Sequence, residues 1–160
     1  MTSRTASMRG SETILLVEDE DSVRKVASAY LRRLGYTVVE AMNADSALVL
    51  WREMRARIDL ILTDMIMPGQ MTGLDLAEQI WKEDAGVPVI ISSGYNTELQ
   101  KRQTEEFPCL SKLPKPYTAV VLAKAIKDAL GIKETGHPSA IVRTAAADGQ
   151  QEDLKSRLGD

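Results

Sequence analysis

Short apolar runs alternate with stretches of helical periodicity along this chain, and that alternation restricts its fold more than any other feature. Thr13–Val17, Ile58–Thr63 and Val87–Ser92 carry apolar residues at consecutive positions. A strand needs that pattern when both faces of its sheet are covered. Tyr36–Ala41, with Val38 and Val39 at its centre, and Cys109–Leu113 are shorter or more polar, as edge strands are. Between them lie stripes stepping by three and four. Val23, Val26, Ala27, Tyr30, Leu31 and Leu34 form the first, opened by Asp21 as N-cap and stopped by Gly35. Ala44, Ala47, Leu48, Trp51 and Met54 follow Asn43 as cap, and Leu74, Ala77, Ile80 and Trp81 follow Thr72. Asn96–Glu106 predicts a fourth helix with almost no stripe beyond Leu99. Thr118 caps a fifth, with Val121, Leu122, Ala125, Ile126 and Ala129 inward and Gly131 at its end.

Five strands alternating with five helices mean a parallel sheet with helices on both faces and right-handed crossovers. The most apolar strands belong at the centre, which predicts a doubly wound α/β fold, (βα)5, in the order 2-1-3-4-5. The expected organisation is a flexible leader over 1–12, one domain over 13–131 and a polar, flexible tail over 132–160. The tail is too short for an output domain of ordinary size, so no DNA-binding output domain is expected.

In such a sheet, ligands bind outside the carboxyl ends of the strands, at the switch point between strands one and three. Strand one ends in Glu18, Asp19, Glu20 and Asp21, and strand three ends in Asp64 before Met65-Ile66-Met67-Pro68-Gly69. Crowded carboxylates demand a cation or raised pKa values, and an all-oxygen site suits Mg²⁺. Taken alone, Glu18–Asp21 equally suits a favourable acidic helix N-terminus. Strand four delivers Ser92, Ser93 and Gly94, and strand five delivers Lys115 between Pro114 and Pro116. A hydroxyl, a glycine amide, a lysine and a metal make a phosphoryl-binding set, with aspartate as the nucleophile.

The composition narrows the alternatives. The chain has 160 residues, a net charge of −3, one cysteine and one histidine. That excludes a disulfide framework, a cysteine zinc site and any scheme needing two histidines. No charge excess points to nucleic acid, no apolar stretch reaches the length of a membrane span, and the leader has no secretory core. A cytoplasmic protein without membrane or nucleic-acid partners is the expectation. No glycine-rich phosphate loop follows strand one, which argues against a dinucleotide carrier.

From about Thr13 to Leu130 the chain resembles the receiver domain of two-component response regulators, a flavodoxin-like fold. The matching motifs are Leu-Val-Glu-Asp-Glu-Asp, Leu-Thr-Asp-Met-Ile-Met-Pro-Gly, Val-Pro-Val-Ile-Ile-Ser-Ser-Gly-Tyr and Lys-Pro-Tyr. The resemblance implies that Asp64 accepts a phosphoryl group from a phosphohistidine on a histidine kinase or phosphotransfer protein. It implies Mg²⁺ held by Glu18, Asp19, Asp64 and the backbone carbonyl of Ile66. It makes Ser93 the switch hydroxyl, gives Lys115 to the phosphoryl group, and sets Lys115–Pro116 in cis, as is frequent in the family. Signalling is then expected through helix four, strand five and helix five to a downstream protein, with a homodimer as one option.

Some positions depart from the family pattern. The loop Pro68–Gly73 carries one residue more than the most usual form, a variant seen in receivers fused to hybrid kinases. Lys112 stands where the family usually has a switching aromatic. Neither Ile66 nor Tyr95, which flank the site, is an acid or amide able to orient water, so slow self-dephosphorylation is expected. Two other functions compete. Asp19 and Asp21 have the Asp-x-Asp spacing of aspartate-nucleophile phosphohydrolases, though Val23 falls two places late for that motif and Asp64 would be unexplained. A phosphorylation-independent scaffold receiver is the other, set against a chemically competent site.

Overall fold

The computed structural model describes residues 10–94 and 107–134. The strands are β1 (Thr13–Val17), β2 (Thr37–Ala41), β3 (Leu60–Asp64), β4 (Val89–Ser93) and β5 (Leu110–Pro114). They pair in parallel in the order β2-β1-β3-β4-β5, with the edges where the polar runs predicted them. The helices are α1 (Asp21–Arg33), α2 (Ala44–Met54), α3 (Gly73–Glu83) and α4 (Ala119–Glu134). The segment 96–106, expected as a helix, and Tyr95 lie outside the described residues. So do the leader before Gly10 and the tail after Glu134.

Strand alternation splits the core in two. Leu15, Val17, Ile61, Val89 and Ile91 point to one face, where they meet Ala47 and Trp51 of α2 and Leu74, Leu76, Ala77 and Ile80 of α3. Ile14, Leu16, Leu60, Leu62 and Ile90 point to the other, against Leu31 of α1 and Leu122 and Ile126 of α4. Successive side chains of a strand point to opposite faces, so three central strands buried at consecutive positions need helices on both sides.

Local chemistry sets the helix starts. The Ser46 amide donates to Asn43 Oδ1 at 2.8 Å, and the Asp75 amide donates to Thr72 Oγ1 at 3.1 Å. Each is half of a reciprocal capping box. Thr118 Oγ1 accepts from the Val121 amide at 3.2 Å. After α1, Gly35 adopts φ +99°, the left-handed turn that a glycine stop supplies.

Four expectations need correction. Asp21 is the first residue of α1 rather than its cap; Glu20 holds the cap position without a side-chain cap bond. Val26 and Val121 are exposed, at 72% and 49%. Each sits one residue, hence about 100° of rotation, from a buried or half-buried position (Ala27, Leu122), which takes it off the arc the sheet covers. Gly131 does not stop the last helix, which runs on to Glu134; glycine inside a helix costs only about 1 kcal/mol.

Candidate phosphoryl-acceptor and cation site

The registers bring the polar residues together. Val17 lies beside Thr63, Asp64 beside Ser92, and Ser93 beside Pro114, so β1, β3, β4 and β5 release their next residues at one edge. Glu18 and Asp64 are each only 7% exposed. Glu18, Asp19 and Asp64 each turn a carboxylate oxygen inward, and these atoms lie within 4.8 Å of one another. Lys115 reaches in from the end of β5, its Nζ 2.5 Å from Asp64 Oδ1 and 3.7 Å from Glu18 Oε2. The Lys115 amide donates to Ser93 O at 2.8 Å, and Lys115–Pro116 is cis, as the resemblance implied. A cleft of about 90 Å³ opens here, walled by Asp64, Ile66, Ser92, Ser93, Gly94 and Lys115. The Ile66 side chain is 73% exposed at its rim.

The electrostatics record an excess of negative charge. Burial pushes Glu18 up to about 7, and the neighbouring Asp64 pushes the same way. The Glu20 amide, 3.1 Å from Glu18 Oε1, and the Lys115 ammonium oppose that shift but do not cancel it. Burial disfavours the Lys115 ammonium, yet the carboxylates of Asp64 and Glu18 outweigh it and hold its pKa above the ordinary lysine range. Burial also raises the Tyr117 phenol. Three converging carboxylates, with Lys115 the one lysine beside them among the described residues, are a hard-cation donor set, and a divalent ion fits them chemically.

Asp21 takes no part in this cluster. Its carboxylate is turned to Arg24 and to Lys25, whose Nζ lies 2.9 Å away, and the Lys25 hydrogen bond leads the causes that lower its pKa. The Asp-x-Asp pairing with Asp19 therefore has no structural counterpart.

Two residues at the site, Gly73 and Arg24, escaped sequence reasoning, whereas Ser92 was already placed among the strand-four ends. Gly73 opens α3 directly against the end of β3: its amide donates to Met65 O at 2.8 Å, and a Cβ there would fall 2.1 Å from Asp64 O. Arg24 Nη1 donates to Glu18 O at 2.8 Å. Ser92, 4% exposed, places a buried hydroxyl beside Asp64. The glycine after a capping threonine was a visible signal for Gly73. The Arg24 contact depends on packing that no spacing predicts.

Comparison with known proteins agrees with this geometry. Residues 14–127 match the response regulator receiver domain family. The sensor kinase CckA of Brucella abortus is 34% identical over 79% of this chain, which spans 13% of that protein. The DNA-binding transcriptional regulator NtrC of Azospirillum brasilense is 34% identical over 74% of this chain, which spans 24% of it. Among solved structures, the receiver domain of the hybrid histidine kinase CckA superposes with a TM-score of 0.62 at 38% identity, covering 74% of this chain and 98% of that one. A receiver domain protein from Clostridium thermocellum gives 0.71 at 29% identity, over 78% and 98%. With the matched family, the relatives and the site geometry in agreement, the chain belongs to the response regulator receiver domain family, the phosphoacceptor module of two-component signalling.

Proposed function

We propose that this receiver takes a phosphoryl group onto Asp64 from a phosphohistidine of a histidine kinase or phosphotransfer protein, in a Mg²⁺-dependent step, and signals by binding. The observation that carries this reading is Asp64 Oδ1 held 2.5 Å from Lys115 Nζ within the acid cluster. An Asp64 oxygen attacks phosphorus; the new O–P bond forms as the donor's P–N bond breaks, and the imidazole nitrogen leaves with the bonding pair. Glu18, Asp19, Asp64 and the Ile66 carbonyl would hold the Mg²⁺, which supplies charge neutralisation for phosphoryl transfer. Lys115 stabilises the incoming phosphoryl oxygens, and the Ser93 hydroxyl and Gly94 amide stand at the same cleft to receive them. An apolar groove of about 690 Å³ between Val23–Tyr30 and Lys115–Leu122 shares Lys115 with the site and offers the donor protein a surface beside it.

The phosphorylated state is then read by a downstream protein on the β5–α4 side, where Lys112 is exposed in place of an aromatic. No acidic or amide side chain follows Asp64 at position 66, so Asp64 keeps its phosphate for long periods and the protein acts as a switch rather than a turnover enzyme. No helix among the described residues is long and apolar enough to cross a membrane. Incubation with Mg²⁺ and acetyl phosphate, read by intact mass, tests the reading. One phosphate adduct is expected, absent in Asp64→Asn and in chelator. Steady phosphate release without an adduct would instead mark a phosphohydrolase, and no reaction with any donor would mark a scaffold.

A further inference from the structure

We propose that Arg24 is a positioning residue for the cation-binding acids, acting through the backbone of Glu18; this rests on the reading that Glu18, Asp19 and Asp64 hold a divalent ion. Arg24 lies in the first turn of α1, and its side chain is only 13% exposed. Its guanidinium turns to three elements at once. Nη1 donates to Glu18 O at 2.8 Å, Nη2 meets Asp21 Oδ1, and Nε lies 4.0 Å from Glu40 Oε1 on β2. The Glu18 amide donates in turn to Ala41 O at 3.1 Å. The Glu18 residue is therefore gripped on both sides, by β2 through its N–H and by Arg24 through its C=O.

The choice of atom carries the inference. An arginine paired with the Glu18 carboxylate would compete with a metal ion for it. Arg24 takes the carbonyl instead and leaves the carboxylate to other partners, with Oε1 accepting from the Glu20 amide at 3.1 Å and Oε2 lying 3.7 Å from Lys115 Nζ. The planar guanidinium fork spans carbonyl and carboxylate partners in fixed geometry, which a lysine ammonium does not reproduce. The result is a cation that orders the β1–α1 acids from behind without neutralising the one it orders.

Charge and positioning predict opposite signs. As a mere positive charge, Arg24 opposes cation binding, and its removal tightens Mg²⁺. As a positioning residue, its removal loosens Glu18 and weakens Mg²⁺. Isothermal titration of the whole chain with magnesium chloride separates them, using wild type, Arg24→Met, Arg24→Lys and Arg32→Met. Arg32 also ties α1 to β2, at 3.6 Å from Glu40 Oε2 and 3.3 Å from Val38 O, without touching Glu18. The expected result is a Kd raised about fivefold or more in Arg24→Met and at least threefold in Arg24→Lys, with Arg32→Met within about twofold of wild type. Unchanged or tighter binding in Arg24→Met overturns the proposal. Equal weakening in Arg32→Met also overturns it, by reducing Arg24 to a general tie between α1 and β2. Wild type without saturable binding overturns the metal reading itself, and this inference with it.

Discussion

Replacing Gly73 by alanine tests how closely Asp64, the proposed phosphoacceptor, is built into the fold. A Cβ at Gly73 would lie 2.1 Å from Asp64 O, 3.0 Å from Asp64 C and 3.2 Å from Met65 Cα. The first distance falls about 1.3 Å short of the 3.4 Å where ordinary contact begins. All three atoms are backbone, so no side chain can swing away. Nor is that backbone free to move: the Met65 amide donates to Ser92 O at 3.0 Å, and Thr63 Oγ1 donates to Asp64 O at 3.0 Å. α3 is held in turn by its Thr72–Asp75 cap and by Leu74, Leu76, Ala77 and Ile80 in the core. Overpacking of this kind costs about 1–3 kcal/mol. Relief by movement of the Asp64 peptide displaces its carboxylate from Lys115, and a misplacement of about 1 Å can slow a reaction by about 10²-fold. The expected result is a urea midpoint lowered by that stability loss and Asp64 labelling by acetyl phosphate slowed at least tenfold. Ile80→Val, which costs a comparable 0.5–1.5 kcal/mol or so in the same helix but away from Asp64, should label at close to the wild-type rate. Gly73→Ala with wild-type stability and wild-type labelling would refute the reasoning.

Three further outcomes are expected. Ile66→Asn brings an amide to the rim of the cleft and should shorten the lifetime of the Asp64 phosphate severalfold, measured by loss of the mass adduct after donor removal; an unchanged lifetime counts against the slow-hydrolysis reading. Without divalent cation, Glu18→Gln should stabilise the protein at pH 8. The Glu18 pKa rises from 4.5 to about 7 on folding, so its favourable neutral form is fully present below pH 4.5 and lost as pH rises through 7. After allowance for solvent screening the gain is about 1–2 kcal/mol at pH 8 and near zero at pH 4.5, and denaturant melts at the two values should differ accordingly. Asn43→Ala removes the cap of α2 and should cost about 0.5–2 kcal/mol in the same melts while leaving Asp64 labelling unchanged.

The sequence carried most of the architecture because its determinants are local. Apolar residues at consecutive strand positions demand a sheet covered on both faces, and Asn43, Thr72 and Thr118 cap helices through bonds spanning three residues. The edge assignment of β2 and β5 followed from their polar positions. Four strand ends carrying acids, hydroxyls and a lysine also made the site legible, because a parallel sheet delivers every carboxyl end to one edge. Val26 and Val121 were misjudged because stripe membership depends on how wide an arc the neighbours cover, which only packing decides. What tertiary structure alone decided is the energetics at that edge. The raised pKa of Glu18 comes from burial and from Asp64, remote in sequence, and the Lys115–Asp64 pair joins two strands that are not neighbours in the sheet. Arg24 on the Glu18 carbonyl is a contact between backbone and a residue with no motif of its own, and the close approach of α3 to the Asp64 carbonyl is set by packing. Residue types announce which chemistry is available; distances of 2 to 4 Å between remote segments determine whether it is held in place, and those distances exist only once the chain has packed.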